Sequence, residues 1–224
     1  MLPMPASDQD SGVAPEAQIP LMGYSPESVG YLTEVGFGVE YGDADQLLHK
    51  WTEDIRINVR GTPTRADLEA LEEVVAELNG VLSDVQLQVT YGTGNLEIYF
   101  LPESQFASVE PAYVPVNLGF FRVWWDNTGA IHRARILIAS RGITQQERSH
   151  LIREELTQSL GLFKDSWRYP DSVFYQDWTD ITRYSDLDRT TIRLLYDSRL
   201  GPRMTPSEAL EALGADSPTL CCSD

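Results

Sequence analysis

The sequence predicts an α+β domain in which helices pack on one side of a mixed sheet. Three observations lead to this prediction. Alternating apolar residues mark strands, apolar residues at helical spacing mark two long helices, and three or four strand segments lie between those helices. The chain has 224 residues, of which 42% are hydrophobic, and it is long enough for one such domain with its own core.

The first clear strand lies within residues 51–61. Its apolar residues alternate with polar ones and would share one face of a sheet: Ile55, Ile57 and Val59. The pattern before it is weaker, and there we predict a short strand at 33–37 and a short helix at 45–50. Residues 1–30 are rich in Pro, Ser, Gly and Asp and have no period, so we predict an extended leader or linker.

Helices are predicted over residues 64–82, 144–160 and 183–196, from apolar residues at helical spacing. The first two begin with a threonine that can cap the helix and an acidic residue three positions later. These pairs are Thr64 with Asp67 and Thr144 with Glu147. Between the two long helices, strands are predicted at 85–91, 96–101, 119–125 and 131–140, the last pair joined by a turn.

These elements define a domain over residues 31–205, followed by a C-terminal tail at 206–224. The two cysteines, Cys221 and Cys222, are adjacent and lie in that tail. Adjacent cysteines exclude a fold held by disulfides and a cysteine metal site, both of which need spaced residues. We expect a frayed tail, with intermolecular bridging or an anchoring role as alternatives.

The composition excludes several kinds of partner. A formal net charge of -17 argues against nucleic acid and anionic membrane surfaces, because phosphate binding needs an excess of Lys and Arg. No run approaches the ~20 apolar residues of a membrane-spanning helix. The residues after Met1 do not form a signal peptide, so the protein is either cytoplasmic or numbered from after a removed leader.

Two motifs in the second half concern chemistry. Residues 153–162 read Arg-Glu-Glu-Leu-Thr-Gln-Ser-Leu-Gly-Leu, and residues 171–175 read Asp-Ser-Val-Phe-Tyr. A zinc peptidase needs His-Glu-x-x-His, because two imidazoles one helical turn apart can hold one ion. Here Glu154 and Gln158 stand at the two ligand positions, and Glu155 stands at the position of the general base.

The motifs resemble those of the metzincin clan of zinc peptidases over roughly residues 50–200. The closer resemblance is to a family of proteobacterial secreted proteins of unknown function with a degenerate metzincin core. It implies a zincin-like fold with a long helix on the sheet, an active-site-like helix and a closing C-terminal helix. It also implies that Lys164 falls at the third ligand position, next to Asp165, and that Phe174 replaces the methionine of the turn. A periplasmic or secreted location follows from the same resemblance, with the cytoplasm left open.

The residue types at these positions do not suit zinc, which prefers histidine and cysteine, so we predict no cofactor. We expect Lys164 to pair with Glu154 or Glu155 where the metal would sit, since a buried carboxylate needs a partner. The alternative is a Ca²⁺ or other divalent site with oxygen ligands from Glu154, Gln158 and either Asp165 or Asp171. A third arrangement is a stripe on one helix face: His150, Glu154 and Gln158.

The function predicted from these observations is a catalytically inactive binding or structural module with a protein or peptide partner. The alternative is a hydrolase that uses Glu155 as general base, with an unusual metal or none. Aromatic residues of the second half fill the core or line a cleft for peptide or glycan: Trp124, Trp125, Trp167, Tyr169, Phe174, Tyr175 and Trp178. The sequence does not indicate an oligomeric state.

Overall fold

The protein is described by a computed structural model over residues 23–38 and 46–214. The helices are α1 (Pro26–Gly36), α2 (Arg65–Asn79), α3 (Phe106–Val109), α4 (Gln145–Gln158), α5 (Asp186–Leu195) and α6 (Pro206–Ala212). The strands are β1 (Lys50–Trp51), β2 (Ile55–Gly61), β3 (Leu87–Thr90), β4 (Leu96–Leu101), β5 (Gly119–Trp125) and β6 (Ala130–Ala139). No helix in these ranges is long and apolar enough to span a membrane.

The strands form one mixed sheet, as predicted. Strands β3, β2, β4 and β6 lie side by side in that order and run parallel, and the short β1 pairs parallel with the start of β6. Strand β5 runs antiparallel to β6 and, among the strands described, pairs with no other. No sequence pattern predicted that most strand pairs would be parallel. The antiparallel pairing of β5 with β6 was predicted from the turn that joins them.

One face of the sheet carries the main core. Val59, Ile98 and Ile136 stand in one cross-strand row, and the latter two are fully buried. Helices α2 and α4 pack against each other and against this face. Both begin with the predicted capping boxes, in which the threonine side chain and the acidic side chain each bind the other residue's backbone N–H.

The opposite face of the sheet is covered only in part by the residues that the structure describes. The segment between β4 and β5 folds over one end of it and forms a second apolar cluster around Phe106, Tyr113, Leu137 and Ala139. Over the described residues, the rest of that face carries mostly polar and charged side chains, together with Tyr99 and Trp124.

Two local predictions before β2 are wrong. The predicted strand at 33–37 is instead part of α1, whose buried Val29, Leu32 and Val35 recur every three residues as on a helix. The segment predicted as helix at 45–50 is non-helical over residues 46–49 and then enters β1.

The ends of the predicted domain also change. The boundary at residue 30 lies inside α1, which begins at Pro26 after the N-cap Ser25. The predicted tail begins with α6, where Ala209 and Leu213 are buried in the main core. The rest of the predicted leader, and the tail cysteines Cys221 and Cys222, lie outside the described residues.

Candidate functional site

A cleft of about 470 Å³ opens between α4 and the edge strand β5. The loop at 112–118 and the segment at 163–179 form its remaining walls. Charged and amide side chains project into it from α4 and the 163–179 segment: His150, Glu154, Glu155, Gln158, Asp165, Gln176 and Asp177. The structure therefore brings together five of the candidate site residues singled out in the sequence, namely His150, Glu154, Glu155, Gln158 and Asp165.

Glu155 lies against β5 and is only 6% exposed. It packs directly on Gly119, the first residue of that strand. A Cβ atom at position 119 would overlap Glu155 Oε1 and would lie 2.9 Å from Leu151 Cδ2. The absence of a side chain at Gly119 thus makes room for this carboxylate where the helix meets the edge strand.

Glu154 is held by a histidine one turn earlier on α4. Its Oε2 lies 3.2 Å from His150 Nε2, and His150 Nδ1 donates to the Ile181 carbonyl at 2.8 Å. Burial by itself would lower the pKa of the His150 imidazole, but the hydrogen bond and charge of Glu154 outweigh it and raise the pKa above its usual range. The pair is therefore a titratable one, whose net charge changes with the protonation of His150.

Gln158 bridges α4 to the 163–179 segment. Its Nε2 donates to Asp165 Oδ1 at 2.6 Å, and Gln176 Nε2 donates to Asp165 Oδ2 at 3.4 Å. Gln158 is buried, and Asp165 is half-buried at the cleft. The two positions that match zinc ligands in the motif therefore carry hydrogen bonds to neighbouring side chains.

The expected ion pair of Lys164 is not formed. Its backbone N–H donates to the Val35 carbonyl at 3.1 Å, and its side chain passes beside Gly38 near the end of α1. Within the described ranges, Lys164 makes no ion pair, and the carboxylate of Glu154 is paired with His150 instead. The physical reason is a contact with α1, which holds the backbone of Lys164 so that Asp165 rather than Lys164 is directed towards the cleft.

Phe174 belongs to the core and not to the wall of the cleft. It is fully buried, and its ring centroid lies 6.2 Å from that of Tyr31. The turn around it is tied to α5, since Ser172 Oγ donates to Asp188 Oδ1 at 2.6 Å and the Val173 N–H donates to Asp188 Oδ2. Burial is the main cause that raises the pKa of Asp188. The turn thus fixes the 163–179 segment, which forms one wall of the cleft.

The donor set does not fit zinc. It offers one histidine that already faces a carboxylate, and a glutamine whose amide nitrogen points to Asp165. Among residues 23–38 and 46–214, no three His, Cys, Asp or Glu side chains converge as a metal site. Asp171, the other ligand considered for a hard cation, is exposed and does not line the cleft.

Sequence reasoning missed other parts of the cleft. No sequence pattern indicated that the loop at 112–118 would line the cleft, because its place in the wall depends on how it packs over the sheet. Trp178 was noted among the aromatic residues. It stands at the cleft with 53% of its surface exposed, and its Nε1 donates to Glu147. His150 was seen as part of a helix stripe, and its i, i+4 spacing to Glu154 was the usable signal.

Comparison with known proteins identifies one family. A family model described as "Protein of unknown function (DUF2927)" matches residues 29–215. A search of curated proteins finds no match. Among solved structures, the chain has 12% identity to "Structure of Myroilysin", a metallopeptidase, with a TM-score of 0.41 over 66% of this chain and 82% of that chain. A likeness this weak transfers nothing about activity.

Proposed function

The chain belongs to the DUF2927 family of proteins of unknown function, and we propose that it binds an extended, positively charged peptide in the cleft between α4 and β5. The observation that carries this proposal is the placement of an edge strand along a cleft lined by carboxylates. The proposal also holds that the protein does not cleave the peptide.

The edge of β5 provides the backbone recognition. An edge strand presents unpaired N–H and C=O groups, and a peptide can add to it as a further strand. Residues 117–123 and Trp125 all line the cleft, so a peptide seated there would run beside β5 for most of its length. Such pairing fixes the orientation of the peptide and presents its alternate side chains to α4.

The charge of the cleft provides the selectivity. Glu154, Glu155, Asp165 and Asp177 bring four carboxyl groups to its walls. Two basic residues also line the cleft. Arg122 is paired at 2.6 Å with the buried Glu110, and His150, when protonated, offsets the charge of Glu154, so the cleft keeps an excess of negative charge. An electrostatic field of this sign favours lysine and arginine side chains in the ligand.

Binding without hydrolysis is supported by the chemistry of the α4 side chains. A metal-activated water would need ligands that the motif lacks, and Glu155 alone retains the position of a general base. We place the function outside the cytoplasm because of the resemblance of the motifs to a secreted family. Fractionation of cells that express the natural gene tests that location, and recovery in the cytoplasm would contradict it.

Fluorescence anisotropy with a labelled lysine-rich peptide tests the proposal. We expect the lysine-rich peptide to bind at least about tenfold more tightly than an otherwise identical glutamate-rich peptide. The double variant Glu154→Gln and Glu155→Gln should weaken binding, whereas Glu72→Gln, an exposed residue of α2 outside the cleft, should not. Equal affinity for the two peptides, or equal losses in both variants, would reject the cleft as the binding site.

A hydrolase is the second candidate, because Glu155 lies in the cleft beside the place where a bound peptide backbone would run. Mass spectrometry of peptide mixtures incubated with the protein separates the candidates. Cleavage that disappears in Glu155→Gln would establish the hydrolase and refute binding alone. Metal analysis of the purified protein would then show whether Ca²⁺ or another divalent ion is bound.

A further inference from the structure

A second surface lies on the face of the sheet that the helices do not cover. Five arginines lie on it, and we refer to them as the arginine face: Arg56, Arg60, Arg122, Arg133 and Arg135. Four of them are exposed, and Arg135 is partly buried. We propose that this face is a docking site for an acidic protein surface, distinct from the peptide cleft.

Strand register places these side chains together. Arg122 of β5 stands opposite Arg135 of β6, and Trp124 stands opposite Arg133. On the other side of β6, Glu97 of β4 is also opposite Arg135. Because every second residue of a strand points to the same face, these residues form one continuous patch across neighbouring strands.

The indole of Trp124 organises three of the guanidinium groups. The Cζ atoms of Arg133, Arg122 and Arg135 lie 4.2, 5.1 and 5.6 Å from its ring centroid. A cation above an aromatic face is attracted by the ring, and the planar guanidinium suits this stacking. The arginines are therefore positioned before any partner arrives.

The buried carboxylate of Glu110 anchors two of these arginines, Arg122 and Arg135. Its side chain is 1% exposed, and its two oxygens accept from Arg122 Nη1 at 2.6 Å and from Arg135 Nη1 at 3.0 Å. Burial alone would raise the pKa of Glu110, but the Ala112 N–H and the two arginines outweigh it and lower the pKa. Glu110 stays ionised and keeps two arginines in fixed positions.

The arginine face retains an excess of positive charge. Its five arginines face two carboxylates, Glu97 and Glu110. Arg56 and Arg133 are exposed and form no ion pair with any described residue. The whole chain has 17 Lys and Arg against 34 Asp and Glu, so an acidic partner is repelled by most of the surface. Such a contrast guides the partner to this face in one orientation.

The geometry favours a protein over a nucleic acid. Proteins that bind single strands stack bases on free aromatic faces, but the Trp124 ring is already covered by guanidinium groups. Arginine, tryptophan and tyrosine are the residues that dominate binding energy at protein interfaces, and Tyr99 joins Trp124 on this face. The arginine face is also an open surface of a sheet, which suits contact with the surface of another protein.

Binding of labelled poly-L-glutamate to the full chain, measured by fluorescence anisotropy, tests the inference. We expect binding that weakens as salt is raised, because exposed charges are screened. The double variant Arg56→Glu and Arg133→Glu should weaken binding at least about tenfold. It should change the melting temperature little, since both side chains are exposed, form no ion pair with a described residue, and lose only the stacking of Arg133 on Trp124. The matched control is Arg141→Glu with Arg193→Glu, two exposed arginines elsewhere.

The inference fails if poly-L-glutamate does not bind at low salt, or if the control variant loses as much affinity as the test variant. It also fails if a thymidine oligonucleotide or heparin binds more tightly than poly-L-glutamate, which would assign the face to another polyanion. This test is separate from the test of the cleft. Binding of the lysine-rich peptide to the cleft should be unaltered in the Arg56→Glu and Arg133→Glu variant.

Discussion

The cleft and the arginine face carry opposite charges, and one strand, β5, contributes to both. In the cleft, the carboxylates of Glu154 and Asp165 are only partly buried, and they contact the titratable His150 and the neutral amide of Gln158. On the arginine face the order is reversed, since the carboxylate of Glu110 is buried and four of the five arginines are exposed. The difference shows that the sign of each surface depends on which member of a charge pair the fold places inside.

The largest expected effect concerns the arginine face. Glu110→Gln removes a buried charge that holds two arginines, and we expect the free energy of unfolding to fall by about 3 kcal/mol. Urea denaturation measures the loss. Because the folded-state pKa of Glu110 is lowered, its stabilisation is present above the carboxyl's unfolded pKa and is lost as pH falls through the folded pKa. Glu72→Gln, exposed on α2, is the matched control and should change little.

A loss of stability in Glu110→Gln no greater than in Glu72→Gln would show that the arginines do not depend on their buried partner. The two surfaces would then differ only in which charged side chains are exposed, and not in how a buried partner holds them.

The next effect concerns the cleft. Gly119→Ala inserts a Cβ atom into the space of Glu155 and Leu151, and we expect a loss of about 2 kcal/mol, because these side chains must shift. The same variant should weaken binding of the lysine-rich peptide but not of poly-L-glutamate. Gly30→Ala in α1, where an added Cβ meets no atom within 4 Å, should be neutral or slightly stabilising. Equal losses of both ligands in Gly119→Ala would mean that the two surfaces are not independent.

The smallest effect is a dependence on pH that belongs to the cleft. The folded-state pKa of His150 is raised, so its protonation stabilises the fold below its unfolded pKa, and that stability is lost as pH rises through the folded pKa. Over the same interval Glu154 loses its cationic partner, and the lysine-rich peptide should bind more tightly. Peptide titrations at several pH values check this, with His150→Gln as the variant that removes the change. An identical pH profile in that variant would assign the titration to another group.

Local signals in the sequence predicted helices α2, α4 and α5, and the approach of the α4 side chains to one another. The capping pairs at Thr64 and Thr144 and the spacing of Glu154 and Gln158 depend only on nearby residues. Residues 33–37 were misread because Thr33, Val35 and Phe37 suggest alternation, and the helical spacing becomes visible only with Val29 and Leu32 included.

The remaining features depend on contacts between distant residues. Whether Lys164 or Asp165 enters the cleft is decided by the packing of the chain against α1, which no motif encodes. The arginines of β5 and β6 are visible in the sequence, but their grouping around Trp124 needs the register of the pair. The parallel order of β3, β2, β4 and β6 is likewise a property of the assembled sheet.

The position of β6 in the chain has a consequence for synthesis on the ribosome. Strands β2, β3 and β4 can pair with one another early, but among the described strands β1 and β5 pair only with β6, which is the last of them to be made. Lys50 of β1 pairs with Ala130 of β6, which is synthesised eighty residues later. Pairings this remote in sequence form slowly and leave apolar surface open in the meantime. A nascent chain that stalls before residue 130 therefore has neither binding surface, and we expect it to be a client of chaperones.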